Sequence, residues 1–412
     1  MDGPTRVTHG THLAVLALAF ILNACSARAD AITPSVATEI EATPVSANTA
    51  TAIPPATSTS LPPALPVLTA PVLGQVEFQN EHNGWGIAIN GSGHVVRTVD
   101  GGSSWLNASP AGLTSVGSSA SLVILDTNTV WLLAPASDFF SGRLYRSTDG
   151  GITWNSNPVP FGTAWLQFVD TQNGRALADR GARAGEQAVE LFQSADGGVT
   201  WTSVFHNDPS QPGSSDSLPL EGIKNGMTFS DANNGWVTSS VPADGQVYLY
   251  RTQDGGVTWL QQSVALPAGY EAYQYLAQAP VFFGKVGFLP LMIRMPEMTA
   301  LTIFSTQDGG LTWSGDPSSA SQMIQPGLVA AADPQNIRSW DGGAELYFSA
   351  DGARTWSSVR PALDMSGSLA QLQFVPNSNG GFTGWALSRV DEAGNSQLYR
   401  TTDGINWRPL IQ

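Results

Sequence analysis

Side chains with chemistry to offer are few in this 412-residue chain, and most stand apart. Of five histidines, His9 and His12 fall in an N-terminal apolar stretch; His82, His94 and His206 lack the close spacing of metal ligands, so no metal is expected. No glycine-rich loop opens a helix after a strand, and no nucleophile-elbow pattern surrounds a serine, so no cofactor is expected either. Asp138, Asp179 and Asp391 are candidates for a general acid and base facing each other across a cleft. Loop aspartates are more often simply solvated. Arg143, Arg180, Arg183 and Arg294 are enough to clamp a carboxylate but form no motif. Cys25 is the single cysteine, which excludes an intrachain disulfide.

One aspartate, by contrast, recurs. Arg97-Thr98-Val99-Asp100-Gly101-Gly102-Ser103-Ser104-Trp105 is repeated around Asp149, Asp196, Asp254, Asp308, Asp351 and Asp403, at intervals of 43 to 58 residues. Each copy ends in tryptophan: Trp105, Trp154, Trp201, Trp259, Trp313, Trp356 and Trp407. Asp-Gly-Gly between runs of strand formers is a hairpin signal, because glycine accepts positive φ and aspartate bonds to turn amides. A catalytic residue is needed once, so seven copies argue for packing. Two copies drift: Ala353 replaces the second glycine of the sixth, and the seventh is one residue short. Arg97, Arg146, Arg251 and Arg400 each precede a turn aspartate by three residues, which gives them a structural place on the same hairpins.

The elements that carry these turns are short strands. Before the first turn come Gln75-Val76-Glu77-Phe78 and Asn83-Gly84-Trp85-Gly86-Ile87-Ala88. The second of these recurs as Val130-Trp131, Asn234-Gly235-Trp236 and Gly384-Trp385, with Arg338-Ser339-Trp340 the best match in the sixth unit. Four short strands per unit, in units of about 48 residues, describe the blade of a propeller. The repeat resembles the Asp-box, or BNR repeat, of sialidases and other β-propellers. That resemblance implies an all-β, seven-bladed β-propeller over 73–412, with four antiparallel strands per blade. It also implies a structural role for the seven Asp and Trp pairs, at the rim away from the binding face. Leu65 to Leu73 is one candidate to complete the last blade; completion of that blade by its own strands is the other.

The N-terminal segment has a different character. Residues 1–24 read as a secretory signal peptide, with an apolar run from Leu13 to Leu22 too short to span a bilayer comfortably. Leu22-Asn23-Ala24-Cys25 resembles the bacterial lipobox, which implies lipidation at Cys25 and a lipoprotein on the outer face of a membrane. Residues 25–72, rich in Ala, Thr, Ser and Pro, are expected to be a disordered linker. A formal charge of −15 with only 18 basic residues excludes a nucleic-acid footprint and a polybasic membrane patch.

Any site is therefore expected on the face opposite the aspartate turns. Its loops carry Phe139, Phe140, Arg143, Arg180, Arg183, Tyr270, Tyr273, Tyr275 and Arg294, a candidate recognition surface; the plain alternative is that long loops cover the channel mouth. The Arg-Ile-Pro segment of sialidases is absent. The second-strand Asn-Gly-Trp and the Tyr-Arg-Ser-Thr-Asp-Gly-Gly turn are more similar to the photosystem II stability and assembly factor-like family. That resemblance implies an exported, lipid-anchored, non-catalytic scaffold for a protein or glycan partner. The photosynthetic role is not carried over, because this acidic chain has no obvious arginine patch. A sialidase-like or other glycoside hydrolase is the alternative.

Overall fold

The computed structural model describes residues 65–410 apart from 118, 267, 298, 316–326, 364 and 366–368. Residues 1–64, which include Cys25 and the stretches read from sequence as signal peptide and linker, lie outside the described residues. Among the described residues there are strands and turns but no helix. The first sheet holds β1 (Val67–Leu68), β2 (Leu73–Phe78), β3 (Gly84–Ala88), β4 (His94–Thr98) and β5 (Trp105–Asn107), in the order β1-β5-β4-β3-β2. Four-stranded antiparallel meanders follow: β6 (Ser121–Ile124), β7 (Val130–Pro135), β8 (Gly142–Ser147) and β9 (Asn155–Val159), then β10 (Ala164–Phe168), β11 (Gly174–Arg183), β12 (Glu186–Ser194) and β13 (Thr202–His206).

Two further groups of strands share one eight-stranded sheet. They are β14 (Ile223–Phe229), β15 (Gly235–Asp244), β16 (Tyr248–Thr252) and β17 (Leu260–Gln261), then β18 (Gln274–Ala277), β19 (Val281–Phe283), β20 (Val286–Arg294) and β21 (Thr299–Thr306). In the second, β18 and β19 pair end to end along one edge of β20, β21 pairs with the other edge, and the Ser305–Ser314 bridge stands in for the strand after the Asp308 turn. Their junction is β15 on β18, where Ser240 faces Leu276 and Asp244 faces Gln274. The last two sheets are β22 (Leu328–Ala331), β23 (Ile337–Trp340), β24 (Leu346–Ser349) and β25 (Ser357–Val359), and β26 (Leu369–Pro376), β27 (Phe382–Ser388), β28 (Leu398–Thr401) and β29 (Arg408–Pro409).

The last sheet meets the first. Phe78 stacks on Trp385 at 3.8 Å, the Trp385 indole donates to the Gly101 carbonyl, and the Gln373 amide both accepts from the Phe78 N–H and donates to its carbonyl. The last quartet supplies its own fourth strand, β29. Val67–Leu68 does not join it and pairs instead with β5, covering the outer edge of the first sheet.

The cores lie in the seams between neighbouring sheets, and sequence register sets what fills them. Directly opposite residues share a sheet face. Trp85 faces Arg97, Trp131 faces Arg146, Trp236 faces Arg251 and Trp385 faces Arg400, and each guanidinium lies over its indole at 5.3 to 5.6 Å. Three of these arginines then reach forward, Arg97 to the Gly150 carbonyl, Arg146 to the Thr171 carbonyl and Arg400 to the Glu81 carbonyl, each in the next quartet. In the sixth quartet the register gives the tryptophan's place to Arg338 and not to Trp340, as the sequence suggested; Phe348 stands opposite, so the cation and the ring have exchanged strands.

A second register slot holds the inner strands together. Gln167 clamps the backbone of Phe229 through both its amide atoms, at 2.7 and 3.0 Å, as Gln373 clamps Phe78. The same slot of the first sheet holds Glu77, opposite Trp85 and 4 % exposed. Burial raises its carboxyl well above the ordinary range, and Oε2 has no acceptor-type partner. A neutral carboxyl keeps one donor and one acceptor, the same pair that the glutamine amides use.

Candidate functional site

In a meander the first and third turns emerge on one side, and the second turn and the link to the next sheet on the other. The aspartate turns lie on the first side, and in six of the seven the N–H of the glycine after the aspartate ties to the neighbouring turn, as Gly101 to the His82 carbonyl, Gly197 to Gln172 and Gly309 to Lys285; in the seventh, Gly404 bonds to the Thr401 hydroxyl instead. Their bonding is closed on itself. Asp308 accepts from the Thr306 hydroxyl and from the Thr312 N–H and hydroxyl, while Thr306 Oγ1 accepts from the Gly310 N–H. Those threonine bonds hold the Asp308 carboxyl down at about 2. In the shortened seventh turn, Asn406 supplies both donors to Asp403. The second glycine is required by its surroundings: a Cβ at Gly310 would come within 2.4 Å of the Trp236 ring, at a φ of 79°.

The neighbouring turns carry a second set of Asx turns that the sequence reading missed. Asp126, Asp170, Asp231 and Asp333 each accept backbone N–H bonds from residues two and three further on, and Asn80 and Asn377 do similar work. The signal was present as an aspartate or asparagine four or five residues before the second strand of six sheets, β20 being the exception.

On the opposite side, the β7–β8 loop presents Phe139 and Phe140 at 51 % and 54 % exposure. Asp138 accepts from the Phe140 and Ser141 N–H groups, which holds its carboxyl below its usual value. Phe139 sits at φ 60°, a strained place for a bulky residue, and its carbonyl accepts from the Thr163 N–H. Arg180 is not free to bind a ligand: it pairs with Glu190 at 2.9 Å, donates to the Pro160 and Phe140 carbonyls and lies over Phe192. The segment read as a loop around Arg180 and Arg183 is strand, β11 and β12 running on past a bulge to a tip at Ala184 and Gly185. Arg183 is exposed there, facing Glu186 across the hairpin; Arg143 is exposed and donates to Ser156.

The tyrosine group divides. Tyr270 and Tyr273 are half-buried, with ring centres 6.0 Å apart. Tyr275 is 1 % exposed, and its hydroxyl donates to the Tyr270 carbonyl; it lies on β18, which sits between β15 and β20, so it belongs to the core. Burial pushes that phenol up to about 12. Arg294 is exposed at the end of β20, opposite Gln274 and Thr299.

The candidate acids do not form a working pair by any contact seen here. Asp179 accepts from the Gly181 N–H at the β11 bulge, and Asp391 from the Asn395 N–H within its turn. Among the described residues no three His, Cys, Asp or Glu side chains gather as a metal site would require. The face also contains one buried cation that sequence gave no reason to single out. Lys224, 1 % exposed, directs its ammonium at the carbonyls of Pro219, Leu220, Glu221 and Gly222, and burial lowers it to about 7.

The architecture defines a class before it suggests a protein. Antiparallel quartets in a closed series, with the last sheet packed on the first, are the construction of a β-propeller. No protein-family profile and no curated protein matches the chain. Solved structures do, at low identity. A YCF48 structure bound to a D1 peptide aligns over 82 % of this chain and 99 % of its own, with 15 % identity and a TM-score of 0.51. YCF48 from Cyanidioschyzon merolae aligns over 81 % and 96 %, with 17 % identity and a TM-score of 0.50. A GH74 enzyme from Niastella koreensis aligns with 15 % identity and a TM-score of 0.52 over 84 % of this chain, which spans about half (54 %) of the enzyme. At such identities the likeness is one of fold.

Proposed function

We propose that the chain is a non-catalytic scaffold: a seven-bladed Asp-box propeller, exported and lipid-anchored at Cys25 on the outer face of a bacterial membrane, that holds a protein or glycan partner on the face opposite its aspartate turns. The eight-stranded sheet then counts as two blades joined along β15 and β18. One contrast carries the reading: the repeated side spends its polar side chains on its own turns, whereas the other side exposes two adjacent aromatic rings, Phe139 and Phe140, from a single loop that the other sheets do not repeat. The YCF48 structure with a D1 peptide is a precedent for this fold holding a peptide.

The GH74 likeness is what favours the alternative, a glycoside hydrolase. Against it stand Asp138, Asp179 and Asp391, whose carboxylates bond to neighbouring backbone N–H groups. The full chain incubated with a panel of plant and algal polysaccharides tests this. The scaffold reading expects no new reducing ends; release abolished by Asp179→Asn or Asp391→Asn would replace it with the hydrolase.

A further inference from the structure

The described chain begins at a telling place. β1 runs antiparallel to β5, with Val67 opposite Leu106, Leu68 opposite Trp105 and the Pro66 carbonyl accepting from the Asn107 N–H. Residues before Val67 therefore lie toward the end of β5 farthest from the Asp100 turn. Leu65 packs against the buried cluster in the seam between the first and second sheets. The described chain thus starts on the side that carries Phe139 and Phe140, next to the sheet that bears them.

The apolar side chains of that side gather around the same place. Ile89, 38 % exposed, stands at the β3–β4 tip of the first sheet, the two phenylalanines at the β7–β8 tip of the second, and Val390, 41 % exposed, at the β27–β28 tip of the last. These three sheets are consecutive around the closure. On the opposite side Val99, Ile152, Val199, Val257, Leu311 and Ile405 are exposed one to a turn around the ring, and no turn there carries two adjacent rings as the β7–β8 tip does.

We propose that the tips of the last, first and second sheets dock on the lipid surface that anchors the chain, with Phe139 and Phe140 entering its interfacial layer. The proposal rests on the lipid-anchor reading above. The rings are phenyls, with no polar handle to desolvate on entering an acyl layer. The loop's polar groups are already used, by Asp138 within the loop and by Arg180 and Thr163 from neighbouring elements. Left-handed backbone at Phe139, held by those bonds, keeps both rings pointing outward at a fixed cost in strain. From Cys25 to Leu65 is 40 residues (65 − 25). An anchor that many residues away holds the patch near the surface, so tethering gives it a high local concentration and a shallow insertion suffices. Asp138, Asp391 and Glu392 share this side with Arg143 and Arg183, and the net charge is −15, so docking depends on apolar insertion and not on anionic lipid.

The test uses the full lipidated chain in neutral phosphatidylcholine and phosphatidylethanolamine vesicles. Lipid occupies the Cys25 sulfur, so a new cysteine at Phe139→Cys, Phe140→Cys or Val199→Cys takes an environment-sensitive fluorophore alone. Docking predicts a blue shift and quenching by brominated acyl chains at 139 and 140 and neither at 199, unchanged when anionic lipid is added. Quenching at 199 alone, or at no position on a vesicle-bound chain, overturns the docking. Protection of the 139 label in whole envelopes but not in protein-free vesicles overturns it in favour of a protein occupant. A wild-type chain that does not float with vesicles removes the anchor, and the docking with it.

Discussion

The two sides of the molecule are made from the same meanders but use their residues in opposite ways. On the aspartate side, Asp308 and its six counterparts are surrounded by donors from within four residues, and the glycine after six of the seven is bonded to the adjoining turn. On the other side no two tips match: a strained Phe-Phe loop, a strand extension ending at Ala184 and Gly185, and a segment folded around Lys224. Repetition marks what every sheet must do to pack against the next. Singular residues have no such duty, so their exposure calls for another cause.

This contrast makes its largest prediction in the seams. Trp385→Ala removes a fully buried ring that stacks on Phe78 and bonds to Gly101 across the closure, and should lower unfolding free energy by about 3–5 kcal/mol in denaturant titrations. Next, the two turn glycines should separate. Gly310→Ala forces a Cβ against Trp236 at positive φ and should cost about 2–4 kcal/mol, whereas Gly309→Ala meets open space and should cost about 1 kcal/mol. Equal losses at the two positions would mean that the seam does not constrain the turn.

Glu77 sharpens the comparison through pH. Its folded-state carboxyl titrates above the unfolded one, so its contribution is complete below the unfolded value near 4.5 and is lost as pH rises through the folded value. Glu77→Gln, matching Gln167 and Gln373, should remove that slope and stabilise the chain by about 1–3 kcal/mol at neutral pH. Melts from pH 5 to 8 check this; parallel slopes in both proteins would contradict it. Asp308 has the reverse sign: its folded value near 2 lies below the unfolded one, so its contribution is present above about pH 4 and lost between there and pH 2. The smallest effect belongs to the other side. Phe140→Ser should change stability by less than about 0.5 kcal/mol, because the ring is already half in water.

The strand and turn order could be read from the sequence because its causes are local: glycine at positive φ, aspartate bonding to nearby amides, and strand formers on either side. What sequence concealed acts at a distance. Gln373 meets Phe78 across 295 positions, and Gln167 meets Phe229 across 62, so neither partner is visible from the other. Tyr275 looked like a loop aromatic because nothing nearby signals that β18 will be taken up between β15 and β20. Trp340 looked like a repeat tryptophan, yet only the pairing of Ile337 with Ser349 reveals that Arg338 holds that slot. Arg180 seemed free because its partners, Glu190 and the Pro160 carbonyl, come from a strand and a link that bend back on it.

The most direct test of which side works is photocrosslinking in intact envelopes, with a photoreactive residue at Phe140 or at Val199 in otherwise wild-type chain. Adducts to a partner or to lipid at 140, with none at 199, are the predicted result. Adducts confined to 199 would place the working surface among the aspartate turns and contradict the division of labour between the two sides.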